Sequence, residues 1–222
     1  MAIYSFKSEQ ALESVHILFL DRDMNQKIYP LSLCLNKTWK IEISKDTEVF
    51  YYVFIINESF WICDYKRSLQ KVNGYWYSDN RSTPKSTRTV TVNRSTFCKD
   101  FNRVEYSPMN ETRVFSNLDT MLGFWAELSE IQEEEIVYIQ LIDPKNKLAV
   151  MAFEILQPNE EMRRSFYFGF QISPYVEAGK WKVRLIQNEK MLCEEECIIK
   201  LINNSYSSRN IYYATSMLDA KY

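Results

Sequence analysis

From position 123 to position 202 the chain is a succession of six apolar runs, each closed by a turn signal, and this spacing restricts the fold more than any other feature. The runs are 123–128, 136–142, 148–156, 165–172, 180–186 and 191–202. Asp143-Pro144-Lys145-Asn146, Gln157-Pro158-Asn159, Ser173-Pro174, Ala178-Gly179 and Gln187-Asn188-Glu189 separate them. Short strands at this interval, with few helical signals between them, mark a β-sandwich. Trp181-Lys182-Val183-Arg184-Leu185 alternates apolar and basic residues, so it buries one face and wets the other, as an antiparallel strand does.

The first half carries the same kind of signal. Strands are expected at 15–20, 29–35, 39–43, 49–56, 60–63 and 88–92. Trp39-Lys40-Ile41-Glu42-Ile43 alternates, whereas 49–56 is unbroken and suits a central strand buried on both faces. Residues 78–87 and 93–112 are rich in Ser, Thr, Asn, Arg and Lys and read as loop and linker, with a boundary near Tyr106. The expected fold is all-β: two tandem immunoglobulin-like β-sandwich domains, 1–105 and 106–222, the second ending in a polar tail from Ser205.

Composition removes several functions. The four glycines (Gly74, Gly123, Gly169, Gly179) lie at least ten residues apart. Phosphate-cradling loops need clustered glycines for close backbone approach, so the usual nucleotide folds are excluded. A net charge of -2 does not recruit nucleic acid. The one basic concentration, Arg81, Lys85, Arg88, Arg94, Lys99 and Arg103, lacks regularly interleaved aromatics and reads as a solvated linker. The longest apolar run, 49–56, cannot span a bilayer as a helix, and no basic n-region opens the chain, so a cytoplasmic protein without membrane contact is expected. In that setting the Asn36-Lys37-Thr38 and Asn110-Glu111-Thr112 sequons are read as turn chemistry.

Catalytic groups are equally sparse. The five cysteines read as reduced thiols, and Cys193 and Cys197 would lie about 13 Å apart on a strand, too far for a disulfide or a shared metal. His16, the single histidine, sits inside an apolar strand with no nucleophile pattern near it. Glu133-Glu134-Glu135 and Glu194-Glu195-Glu196 read as solvated faces or guarded strand edges. No catalytic residue, cofactor or metal ligand is therefore expected.

Aromatic residues remain: they make up 15% of the chain, with 15 Tyr, 13 Phe and 5 Trp. Trp61, Tyr65 and Tyr75-Trp76-Tyr77 after the Asn73-Gly74 turn form the candidate binding group. Alternation would bury Trp76 and expose both tyrosines, or the reverse.

The stretch from Trp39-Lys40-Ile41-Glu42-Ile43 through Tyr52-Val53-Phe54-Ile55-Ile56-Asn57 to Phe60-Trp61-Ile62-Cys63-Asp64 resembles the glycogen-binding, early-set immunoglobulin-like domains of isoamylases and AMP-activated kinase β subunits. The resemblance covers roughly 14–92 and implies a sandwich bearing an aromatic platform for α-glucan, with Trp61 as a platform residue and Gly74 and Asn80 in the later part of the pattern. The upstream loop that supplies the family's other tryptophan is missing, and Val53 stands where the family has a basic residue. The second half resembles a generic bacterial immunoglobulin-like sandwich, which implies no activity. The expected function is a non-catalytic interaction or scaffold protein that binds a protein partner or associates with itself through edge strands. Carbohydrate binding at Trp61, Tyr75, Trp76, Tyr77 and Asn80 is the alternative. A hydrolase would need a carboxylate pair that the sequence does not reveal.

Overall fold

The structure is a computed structural model and describes residues 1–44, 48–83, 89–173 and 175–202. Its first half supplies β1 (Ala2–Lys7), β2 (Val15–Leu20), β3 (Gln26–Pro30), β4 (Ser32–Leu33), β5 (Thr38–Ile43), β6 (Tyr51–Ile56), β7 (Phe60–Ile62), β8 (Leu69–Val72) and β9 (Tyr75–Asp79). These form two sheets, β1-β5-β4 and β3-β2-β6-β9-β8, with β7 also on β6. Alternation turns Tyr4 and Phe6 of β1 inward onto the second sheet. Tyr4 meets Phe19 and Tyr52 with ring centroids at 4.9 and 5.1 Å, and Phe6 meets Phe54 at 5.3 Å. β6 has neighbours on both sides and is buried from Tyr52 onward, the physical basis of its unbroken apolar sequence.

The second half supplies β10 (Thr91–Asn102), β11 (Ser107–Glu111), β12 (Val114–Ser116), β13 (Met121–Ser129), β14 (Glu135–Ile142), β15 (Leu148–Leu156), β16 (Arg163–Gln171), β17 (Gly179–Gln187) and β18 (Lys190–Lys200). A sheet ordered β11-β10-β13-β16 packs on one ordered β12-β18-β17-β14-β15. β12 runs parallel to β18, and the other pairings are antiparallel. The chain crosses between the sheets after β11, β12, β13, β15 and β16, in the immunoglobulin-like manner. The chain is all-β, two tandem immunoglobulin-like sandwiches.

The expected linker is corrected. Residues 93–112 form most of the β10–β11 hairpin, which belongs to the second sandwich through the pairing of β10 with β13. The change of sandwich falls between Asp79 and Thr91, well before Tyr106. The polar composition misleads because Phe97 and Cys98 alone are fully buried on β10. Of the basic residues assigned to a linker, Arg94 pairs with Glu111 at 2.6 Å and Lys99 with Asp119 at 2.6 Å. Lys85, Arg88 and the tail from Ser205 lie outside the described residues. Asn36 takes left-handed backbone in the short turn before β5, whereas Asn110 takes it inside β11 rather than in a turn.

The two sandwiches share buried surface. β14 is buried along its whole length. Val137, Ile139 and Leu141 face the second core, whereas Ile136 and Tyr138, with Met151 of β15, join the core of the first sandwich. The Tyr138 hydroxyl donates to the Cys63 carbonyl at 2.7 Å and accepts from the Tyr65 N–H at 3.1 Å. Glu189, in the β17–β18 turn, accepts from Tyr65 Oη at 3.0 Å and Lys66 Nζ at 3.2 Å, and pairs with Lys7 at 3.7 Å. Gln10 donates to the Asn146 carbonyl and accepts from Arg184 at 3.2 Å.

Candidate functional site

The expected binding residues fall into two groups on different faces of the first sandwich. β8 and β9 are joined by Asn73-Gly74, with φ of 50° and 87°, a tight hairpin turn in which both residues take the left-handed region. β9 pairs with β6 only at Tyr51–Asp79 and Tyr52–Ser78, and β7 pairs with β6 from Phe54 to Ile56, so the first residues of β9 are unpaired with the central strand. Tyr75 and Trp76 are consequently both exposed, at 65% and 38%, and neither of the two alternation patterns holds. From Tyr77 onward the strand lies on the core: Tyr77 is 5% exposed and is corrected from a contact residue to a core residue.

Trp61, on β7 opposite Ile55, is 44% exposed. Its ring lies 6.3 Å from that of Tyr75 with the planes tilted by 39°. Trp76, opposite Lys71 across the hairpin, carries the lysine ammonium 5.7 Å from its ring. By register, Tyr75, Tyr77 and Asp79 share a face with Tyr51 and Trp61. The far end of that face is occupied by Arg81, which lies over Phe50 and Tyr51 at 4.7 and 5.0 Å. Arg81 grips Asp79 through two hydrogen bonds of 3.0 and 3.1 Å, and these hold the Asp79 carboxyl below its usual range. Tyr51 and Arg81 were not anticipated at this face. The signal was the turn Asp79-Asn80-Arg81, which returns the arginine to the aspartate two residues back.

Asn80 lies elsewhere, away from the Trp61–Tyr75 pair. Its Oδ1 accepts from the Tyr4 hydroxyl at 3.1 Å and its Nδ2 donates to the Val49 carbonyl at 3.0 Å. It lines a cleft of about 360 Å³ together with Tyr4, Tyr52, Asp64, Lys66 and Arg67. Asp64 accepts from Tyr52 Oη at 2.7 Å and from the Lys66 N–H at 2.9 Å. Burial and the adjacent carboxylate push the Tyr52 hydroxyl far above its ordinary pKa, so it remains a donor. Asp64 is the one carboxylate lining this cleft among the described residues. A second cleft, of about 310 Å³ between the sandwiches, holds Glu9 and Glu189, each paired with a lysine at 3.5 and 3.7 Å.

The carboxylates of the Glu194-Glu195-Glu196 run are ion-paired. Glu194 pairs with Arg184, Glu196 with Lys180 at 3.0 Å, and Glu195 with Arg113 at 2.6 Å. All five cysteines are free thiols; burial pushes those of Cys63 and Cys197 up to about 12. His16 lies on β2 between Pro30 and Ile55. No group of metal-ligating side chains occurs among the described residues.

The fold and these surfaces define an immunoglobulin-like sandwich protein. No protein-family model and no curated protein matches the sequence. Among solved structures, the chain is similar to an immunoglobulin-like protein from Pseudomonas aeruginosa, at 12% identity over 52% of this chain and 100% of that one, with a TM-score of 0.36. It is also similar to a β-glucosidase from Listeria innocua (12% identity, 56% of this chain, 17% of that one, TM-score 0.34). Escherichia coli α2-macroglobulin matches over 84% of this chain and 10% of its own length, at 8% identity and a TM-score of 0.34. The chain thus spans a small part of both larger proteins.

Proposed function

We propose that the chain is a non-catalytic interaction protein that binds a protein partner through Trp61 and Tyr75. The observation that carries this is a pair of exposed rings, Trp61 and Tyr75, held side by side on short strands of one sheet. Such rings offer large contact area at low entropic cost, and tryptophan and tyrosine dominate the binding energy of protein interfaces. Trp76, with Lys71 over its ring, lies on the opposite face of the β8–β9 hairpin.

The resemblance to glycogen-binding domains supports α-glucan as the second reading, and the exposure of Trp61 favours it. The polar side of such a site has less support, because Asn80 is committed to Tyr4 and Val49 and lines a different cleft. The two readings separate in one experiment. Tagged wild-type protein and Trp61→Ala are used to recover partners from the native cells, with parallel electrophoresis through glycogen-containing gels. A protein bound by the wild type and weakened roughly 30-fold by Trp61→Ala is the expected result. Retardation by glycogen that is lost in Trp61→Ala would move the ligand to α-glucan. Binding of either kind that is unchanged in Trp61→Ala and Tyr75→Ala would overturn the assignment of this surface.

A further inference from the structure

Sheets expose unpaired backbone at their edges, and proteins usually guard such edges with charges, prolines or short strands. Most edges here are guarded. β15 carries Glu154 in its core-facing row, opposite Val137. β3 has Lys27 and Pro30, and β11 has Pro108. β8, β4 and β12 have four residues or fewer. β1 runs along the cleft that Lys66 and Arg67 line.

β16 is the exception. It is nine residues long, ends the β11-β10-β13-β16 sheet, and pairs with β13 on one side only. Among the described residues nothing else hydrogen-bonds to the backbone of residues 164–170. Its core-facing row is Phe166, Phe168 and Phe170, opposite Ala126, Phe124 and Leu122 of β13. Phe168 and Phe170 are only partly buried, so the core reaches this edge without a charged side chain across its middle. Both arginines, Arg163 and Arg164, stand at one end.

The sequence of this edge is nearly symmetric about Tyr167: Ser165-Phe166-Tyr167-Phe168-Gly169 reads small, Phe, Tyr, Phe, small in either direction. A two-fold axis through Tyr167 therefore sets Phe166 opposite the second copy's Phe168, and Ser165 opposite its Gly169. Arg164 then meets Phe170, a cation over an aromatic ring, and Arg163 meets Gln171. No like charges face each other, whereas a parallel pairing would stack the arginines. Self-complementarity of one patch under a two-fold axis is what an isologous dimer requires. We infer that β16 pairs antiparallel with β16 of a second copy of this chain, joining two four-stranded sheets into one continuous sheet. This interface is separate from the Trp61 surface and does not depend on what binds there.

The register makes the test specific. Gln171 is exposed, and within one chain it lies roughly 27 Å from Arg163, so neither residue feels the other in a monomer. In the dimer, Gln171→Arg places like charges opposite each other at both ends of the strand pair and should weaken dimerisation roughly five-fold. Adding Arg163→Glu to Gln171→Arg replaces both repulsions with opposite-charge pairs and should restore or exceed the wild-type association. The measurement is sedimentation equilibrium on the full chain, with thermal unfolding to confirm that each variant is folded. A dimer that weakens with Gln171→Arg, recovers in the double variant and persists in Trp61→Ala supports the inference. A wild-type monomer at all concentrations, or a dimer indifferent to both charge changes, overturns it.

Discussion

Gly123 shows how a single residue is constrained by its neighbours rather than by its own backbone. It faces Gly169 across the β13–β16 pair, and the Tyr167 ring folds over the gap between them. A Cβ at Gly123 would stand 2.6 Å from Tyr167 Cε2 and 2.8 Å from the Cys98 carbonyl oxygen. Tyr167 itself is stacked on Phe101 at 4.8 Å with the planes 14° apart, so it cannot withdraw without losing that contact. Gly123→Ala is expected to destabilise the fold by about 1–3 kcal/mol in urea unfolding, as overpacked sites do. Part of that loss should return when Tyr167→Ala is combined with it, because the two residues compete for one volume. Gly74 is constrained differently. Its surroundings are open, and only its φ of 87° resists substitution.

At the scale of elements, β14 does two jobs with one strand. Its two faces enter two cores, and Tyr138 anchors the loop after β7 through one donated and one accepted hydrogen bond. Tyr138→Phe keeps the ring and removes the hydroxyl, leaving the Cys63 carbonyl and the Tyr65 N–H without this partner. The expected cost is about 1–3 kcal/mol, read as a lower thermal midpoint with little change in the far-ultraviolet spectrum. The run 136–142 was legible as a strand, but its double burial was not. An apolar run shows that both faces are covered, without naming what covers the second one. The short hairpin of β8 and β9 is the opposite case: its turn could be read from Asn73-Gly74, whereas the joint exposure of Tyr75 and Trp76 follows from where β6 exchanges β9 for β7.

For the whole molecule, the shared core and the Glu189 cluster couple the two sandwiches, and unfolding is expected as one calorimetric transition rather than two. Burial alone would raise the Glu189 carboxyl, but hydrogen bonds from Lys66 and Tyr65 and the charges of Lys66 and Lys7 outweigh it and hold the pKa below the usual value. A carboxyl depressed in the folded state contributes stability that is present above its unfolded pKa and is lost as pH falls through the folded one. The thermal midpoint should therefore fall on the acid side, and Glu189→Gln should flatten that fall while lowering stability near neutral pH by about 1 kcal/mol. The all-β class, the six strands of 123–202 and the central place of 49–56 follow from local patterning, because alternation, run length and turn chemistry are properties of neighbouring residues. Pairing across the fold makes the polar residues 93–112 a hairpin of the second sandwich, buries Tyr77 and sets one face of β14 against the first core. Each of these depends on which distant strand supplies the missing neighbour, and that pairing is not written in the composition of either partner.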